Sequence, residues 1–327
     1  MSRLAPGRQW PVAVMQFRLA CCELPRIISA GEKIGRGIIV ATLTIESDDV
    51  GFDISAIDFS GLYYAENVRA TSVRYELVYG NGAYDEFRGH GFRYNDNLEP
   101  TAGTVSQYRT YFSGMLATAT GLEIGATDIR DAAQTFSTRD DLRVISDAFH
   151  GDDLFEGGGG RDRLRGYDGD DTLRGGNGWD SLFGAEGDDA LQGGSGKDRL
   201  YGNEGNDTLV GGRGADFLLG KDGADIFRFD AKLSKANLDK ISDFVHAEDT
   251  IQLAQDVFDD EGDLGQLDKK ALYRGAEAHD STDRVIHDST TGALYFDPDG
   301  TGDAAQIQFA VLGRGIEITT GDFQIIT

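Results

Sequence analysis

Residues Gly157–Arg228 read, in nines, GGGGRDRLR, GYDGDDTLR, GGNGWDSLF, GAEGDDALQ, GGSGKDRLY, GNEGNDTLV, GGRGADFLL and GKDGADIFR. Eight units follow without insertion, after a partial unit AFHGDDLFE at Ala148–Glu156. Positions 1 and 4 are Gly and position 6 is Asp in every unit; position 8 is Leu seven times, then Phe227. A period this strict has to be read before any other feature. The six Gly-rich residues of a unit form a turn whose backbone visits positive φ and approaches a neighbour closely. The x-Leu-x that follows forms a short strand with one side chain inward and two outward. Two units complete one turn of a parallel coil, with the Leu side chains stacked as a narrow core. The position-6 Asp then recurs along each edge at one strand spacing, ~4.8 Å. Carboxylates so close repel unless a cation lies between them. Asp oxygens with exposed backbone carbonyls are hard ligands that suit calcium rather than zinc or copper. A flexible Gly-Asp linker would have no reason to keep Leu at every ninth residue.

These units resemble the RTX nonapeptide, GGxGxDxUx. The resemblance implies a right-handed parallel β-roll binding several calcium ions between successive turns along both edges. It assigns the carboxylate ligands to Asp153 in the partial unit and to Asp162, Asp171, Asp180, Asp189, Asp198, Asp207, Asp216 and Asp225. Backbone carbonyls would come from Gly158, Gly176, Gly194 and Gly212 at position 2. Position 4 would add Gly160, Gly169, Gly178, Gly187, Gly196, Gly205, Gly214 and Gly223.

A second period, of eighteen, lies within the first. Odd units begin Gly-Gly, whereas even units carry an acid at position 3: Asp168, Glu186, Glu204 and Asp222. All four fall on one edge, and the other holds Arg161, Lys197 and Arg213. The edges should therefore be unequal, the acidic one holding calcium more tightly. Outward positions change along the roll, from Arg163, Arg165 and Arg174 to Phe183, Tyr201, Phe217, Leu219 and Ile226. An apolar outer face predicts cover by the residues that follow.

Downstream, ANLDKISDF (Ala236–Phe244), EDTIQL (Glu248–Leu253), GALYFDPDGTGDAAQIQFA (Gly292–Ala310) and the terminal DFQII (Asp322–Ile326) resemble the C-terminal domain that follows the roll in serralysin-type secreted proteases. In that family the extreme C-terminus is an uncleaved signal for type I secretion, an acid followed by apolar residues; Gln324 interrupts the apolar run here. Asp297–Asp303 has an EF-hand-like start, but Thr301 and Gln308 stand where ligands are needed. Its flanks read as strands, which predicts an Asp-Gly hairpin turn.

Upstream, residues 31–147 read as mostly β. Val73, Tyr75, Leu77 and Tyr79 alternate as a half-buried strand does, and Phe87–Tyr94 is a strand broken by two glycines. Thr127–Phe136 and Arg139–Phe149 read as two short helices. The expected organisation is a poorly ordered segment at 1–30, a β-rich domain at 31–147, the roll at 148–230 and a serralysin-like domain at 231–327.

The 327-residue chain carries 56 Asp+Glu against 31 Lys+Arg, a formal charge of −25. That excess disfavours nucleic acid and anionic membrane as partners. No apolar run is long enough for a transmembrane helix. The two cysteines, Cys21 and Cys22, cannot form a disulfide framework or a Cys-based zinc site. The serralysin resemblance raises the question of a protease, which needs His-Glu-x-x-His. None of His90, His150, His246, His279 and His287 is followed by Glu, and no two are four apart. No Gly-x-Ser-x-Gly elbow is present, so no enzyme is expected from these motifs. His90, between glycines with Asp85 and Asp96 nearby, is the one histidine to inspect for function. The sequence thus points to a secreted, extracellular calcium-binding protein, exported by type I machinery and folded by calcium outside the cell. An adhesion or carbohydrate-binding module, or an enzyme with an unrecognised site in residues 31–147, is the alternative.

Overall fold

The computed structural model describes residues 41–46, 52–54, 67–79, 82–95, 98–112, 115–133, 138–258 and 264–327. The expectation for residues 1–30, Cys21 and Cys22 included, lies outside them. The fold is mainly β, and its organising feature is a parallel β-roll. Strands β1 (Thr42–Glu46), β2 (Asn67–Ala70), β3 (Arg74–Val78), β4 (Tyr84–Tyr94), β5 (Pro100–Phe112) and β6 (Met115–Gly125) precede helices α1 (Ala126–Ala133) and α2 (Thr138–Ala148). The roll continues with β7 (Leu154–Glu156), β8 (Arg163–Asp168), β9 (Thr172–Gly178), β10 (Ser181–Glu186), β11 (Ala190–Gly196), β12 (Arg199–Glu204), β13 (Thr208–Gly214), β14 (Phe217–Asp222) and β15 (Ile226–Phe229).

Even-numbered roll strands stack in one sheet and odd-numbered ones in the other, each pairing in parallel with the strand eighteen residues away: Leu182 lies opposite Leu164 and Leu200, and Leu191 opposite Leu173 and Leu209. The inward column, Leu164, Leu173, Leu182, Leu191, Leu200, Leu209, Leu218 and Phe227, is wholly buried. At about 1.5–3 kcal/mol for each buried Leu or Phe, this column supplies most of the hydrophobic stabilisation of the repeat. The strands run into the glycine turns, because residues at positions 2 and 3 stay in register between rungs; Gly194, for example, lies opposite Gly176 and Gly212.

The roll does not begin at the repeat. β1 adds in parallel to β7, and Asp53 bridges Arg163 of β8, so residues 41–46 and 52–54 supply a first rung more than ninety residues ahead in sequence. From β1 the same sheet turns antiparallel through β6, β5, β4, β3 and β2. Leu43, Phe87, Ala117, Ala119, Ile129, Ile145 and Phe149 are buried in one core there, with the two helices against the inner face. Helices α1 and α2 fall in the expected stretches, of which residues 134–136 lie outside the described ones. β4 is continuous rather than broken: its glycines are absorbed as register shifts against β5, and a side chain at Gly89 would lie 1.8 Å from the carbonyl oxygen of Thr104.

Beyond the repeat come β16 (Asp239–Ile241), β17 (Thr250–Ala254), α3 (Gln255–Phe258), β18 (Gly265–Gln266), β19 (Leu272–Arg274), β20 (Val285–Asp288), β21 (Ala293–Phe296), β22 (Ile307–Val311) and β23 (Phe323–Ile326). β16 and β22 extend one roll sheet, and β17 and β23 the other. In β23, Phe323 and Ile325 are buried while Gln324 points out and accepts a hydrogen bond from the Gln252 amide at 2.9 Å, which explains the break in the apolar run. Asp297–Asp303 lies between antiparallel β21 and β22, as the strand flanks imply, but in a loop spanning residues 297–306 rather than a tight Asp-Gly turn. The expectation of a covered outer face is also corrected. Phe183, Tyr201, Phe217, Leu219 and Ile226 are half-buried, not covered. The rings shield one another instead: Phe183 stacks on Tyr201 with centroids 4.8 Å apart, Tyr201 lies 5.9 Å from Phe217, and Arg163 sits 4.5 Å over Phe183.

Candidate metal-binding edges of the roll

Each position-6 Asp precedes a strand and is fixed by that strand's pairing. Its own N–H donates to Oδ1 of the Asp one rung further on: Asp171 to Asp189, Asp180 to Asp198, Asp189 to Asp207 and Asp198 to Asp216, each at 2.8 Å. Two parallel ladders result. One runs from Asp153 through Asp171, Asp189, Asp207 and Asp225, the other from Asp162 through Asp180, Asp198 and Asp216. The same bond continues past the repeat, from Asp225 to Asp249 and from Asp216 to Asp239. At the upstream ends the N–H groups of Ala41 and Phe52 donate to Asp153 and Asp162 and take the place of a preceding Asp.

One carboxylate oxygen is thus satisfied by the backbone; the other defines the site. Oδ2 of Asp171, Asp180, Asp189, Asp198, Asp207 and Asp216 is buried without a hydrogen-bond partner. It lies over the position-1 glycine of its own unit, in space a side chain would fill. A Cβ at Gly184 would sit 2.1 Å from Oδ2 of Asp189 and 2.6 Å from the carbonyl oxygen of Gly202; at Gly193 the distances to Asp198 and Gly211 are 2.6 and 2.7 Å. Acceptors with negative charge converge there, and an orphaned buried carboxylate oxygen costs several kcal/mol unless something positive meets it. The donor set, one carboxylate with main-chain carbonyls, fits a hard divalent cation. Among the described residues no three His, Cys, Asp or Glu side chains come together as a metal cluster, so carbonyls would supply much of any coordination.

Glycine at positions 2 and 4 is explained by close approach. A Cβ on Gly196 would lie 1.4 Å from the carbonyl oxygen of Gly178, and one on Gly194 2.2 Å from that of Gly176, both at positive φ. The carbonyls of Gly158, Gly176 and Gly194, and of Gly160, Gly178 and Gly196, therefore stack in columns along one edge. Gly169, Gly187 and Gly205 form the position-4 column of the other edge, each facing the next rung, with Gly205 facing Gly223. Gly212 and Gly214 continue the odd-edge columns.

Without a cation, burial pushes these carboxyls up: Asp171 and Asp180 to about 8, Asp189 to about 9, Asp198 and Asp207 to about 7. Asp162 and Asp225 rise to about 6, and Asp216 is raised as well, again through burial. The ladder ends differ. Oδ2 of Asp162 accepts from the Gly158 N–H at 2.9 Å and Oδ2 of Asp249 from the Val245 N–H at 2.7 Å, so backbone closes them.

Sequence reasoning missed several participants. Asp239 and Asp249 continue the ladders, and their Asp-x-Ile pattern repeats the Asp-x-Leu of the units. The position-1 carbonyls of Gly202 and Gly211 approach the orphaned oxygens; invariance of Gly at position 1 was the available signal. A further row, Asp152, Asp170, Asp188 and Asn206 at position 5, is bonded rung to rung, and the recurring Gly-Asp-Asp carried it. The histidines form no constellation. His90 is exposed on β4, while Asp85 accepts from the hydroxyls of Tyr79 and Tyr108, each at 2.6 Å. His246 bonds Asp322, and His287 is buried with both ring nitrogens unpartnered.

Stacked Asp rows in glycine cradles on a parallel roll define a calcium-binding β-roll. Residues 156–191 and 192–227 match the family model of the RTX calcium-binding nonapeptide repeat (4 copies), and this stretch of the chain is an array of RTX repeats. Among solved structures the chain is similar to the AlgE6R3 subunit of the Azotobacter vinelandii mannuronan C5-epimerase, with 25% identity and a TM-score of 0.31 over 50% of this chain and 77% of that one. It is also similar to the extracellular lipase LipA of Serratia marcescens, with 18% identity and a TM-score of 0.20 over 54% of this chain and 38% of the lipase. No curated protein matches the sequence. Among the described residues no helix is long and apolar enough to cross a membrane.

Proposed function

We propose that this is a secreted protein whose roll folds on binding several calcium ions after type I export. The position-6 Asp residues, Asp153 to Asp225, would be the carboxylate ligands, and glycine carbonyls of the turns the neutral ones. The observation that carries this reading is the row of buried, unpartnered Oδ2 atoms facing carbonyl oxygens across glycines. At low calcium the ionised rows repel and keep the roll unfolded, a state suited to export. At the ~10⁻⁴–10⁻³ M calcium typical of extracellular modules, binding supplies folding free energy. The terminal Asp322–Ile326 would serve as the secretion signal while unfolded, and its Phe323–Ile326 would become β23 afterwards. The chain would comprise an N-terminal part at 31–147, the roll at 148–230 and a C-terminal part at 231–327.

The test is far-UV circular dichroism during calcium titration of EGTA-treated protein. A cooperative gain of β signal near millimolar calcium, absent with magnesium, supports the reading; no change on adding calcium refutes it. For residues 31–147 a binding surface is favoured over an active site. On the outer face of β3–β5, Tyr84 stacks on Tyr111 at 5.7 Å beside Arg74, Arg88 and Arg109, which all engage the buried carboxylate of Glu86. That is an aromatic and basic face rather than a cleft of free carboxylates.

A further inference from the structure

The two edges differ in more than the acids at position 3. Turns that lead into β9, β11, β13 and β15 carry the position-5 row as a second ladder outside the first. The Asp170 N–H donates to Oδ1 of Asp152 at 3.1 Å, the Asp188 N–H to Asp170 at 2.9 Å, the Asn206 N–H to Asp188 at 2.7 Å and the Ala224 N–H to Asn206 at 2.9 Å. It runs opposite to the inner ladder, each N–H here donating to the preceding rung rather than the following one. Directly inside it lie the unpartnered Oδ2 atoms of Asp171, Asp189 and Asp207, whose residues are at most 2% exposed. The other edge places Arg161, Trp179, Lys197 and Ala215 at position 5. Fixed positive charge at position 5 of that edge, Arg161 and Lys197, thus contrasts with fixed negative charge at position 5 of the first, Asp152, Asp170 and Asp188.

We propose that the edge formed by residues 166–171, 184–189 and 202–207 is a distinct, tighter class of calcium sites, which fills first because the outer row of Asp152, Asp170 and Asp188 adds a second layer of charge. This rests on the reading that the roll binds calcium. The ligand is a divalent cation because the inner oxygens are hard acceptors without donors, and because ligand charge tunes calcium affinity over decades. The outer ladder's geometry does not require charge: Asn206 fills a place in it as an amide, accepting the Ala224 N–H through its side-chain oxygen. Charge on that row can therefore be removed with its hydrogen bonds intact.

The experiment is isothermal calorimetry of the full chain titrated with calcium chloride, comparing wild type, Asp170→Asn with Asp188→Asn, and Arg161→Gln with Lys197→Gln. Wild type should show two classes of sites at least about tenfold apart in Kd. The Asp→Asn pair should weaken the tight class about tenfold, leave the loose class in place and keep the total number of ions. The Arg161→Gln and Lys197→Gln pair should tighten the loose class only. A single class in wild type, or a tight class unmoved by Asp170→Asn with Asp188→Asn, overturns the proposal while leaving calcium binding standing. Absence of any calcium binding overturns the underlying reading as well.

Discussion

Acidifying the calcium-free protein should fold the roll. In the folded, metal-free state burial holds Asp171 and Asp180 at about 8 and Asp189 at about 9, with neighbouring carboxylates adding to the rise. An unfolded Asp titrates near 3.9. A difference of roughly four units, at 1.36 kcal/mol each, is about 5 kcal/mol for one carboxyl. Two or three such groups, together about 10–15 kcal/mol, are comparable to the ~5–15 kcal/mol stability of a typical domain. Because the folded pKa values lie above the unfolded one, the stabilisation is complete below about 3.9 and is lost as pH rises through about 7–9. A proton on each Asp thus does part of what a cation would do. The assay is far-UV circular dichroism in excess chelator, stepped from about pH 8.5 to about 5.5, which stays above the isoelectric point of 4.4. β signal should grow over that range, and calcium added near pH 7 should release protons. A chelated protein whose spectrum is flat with pH, or whose β signal falls on acidification, would refute the assignment of these carboxyls as buried and repelling.

Gly196→Ala should abolish calcium-induced folding or raise its midpoint severalfold, because the methyl would overlap the Gly178 carbonyl 1.4 Å away at φ +143°; a normal titration would show that the rungs are not packed as described. Ala185→Gly should act the other way, since Ala185 holds φ +105°, and relieving it should stabilise by about 1 kcal/mol, read as a higher Tm in calcium. His287 has a lowered pKa through burial, so stability of the C-terminal section should be present above about 6.5 and lost as pH falls. His287→Leu should remove that acid sensitivity in calcium-saturated protein, measured by thermal melts at pH 7 and 5.5.

The roll was legible because its two signals, Leu every ninth residue and Gly-x-x-Gly-x-Asp turns, act locally and repeat. What could not be read was what closes it. Residues 41–54 resemble no repeat unit, yet their strand β1 and the N–H groups of Ala41 and Phe52 complete the first rung. That pairing is decided by the long-range arrangement of β1 between β6 and β7, and no local pattern marks it. Downstream, five or six extra residues between Asp216 and Asp239 and between Asp225 and Asp249 hide the period while the ladder continues. The half-exposed Phe183–Tyr201–Phe217 column shows a different limit: outward apolar residues can be satisfied by stacking along a strand column, which sequence polarity does not distinguish from burial under another layer.

The rung built from residues 41–46 and 52–54 bears on what a fragment of this chain would do. A piece cut at the repeat boundaries would present β7 and β8 at one end and β14 and β15 at the other, each with unpaired backbone and matching geometry. Such ends are complementary to each other rather than to themselves, so their contact does not close. With calcium present, excised repeats should therefore polymerise end to end into filaments, whereas in the whole chain both ends are already occupied.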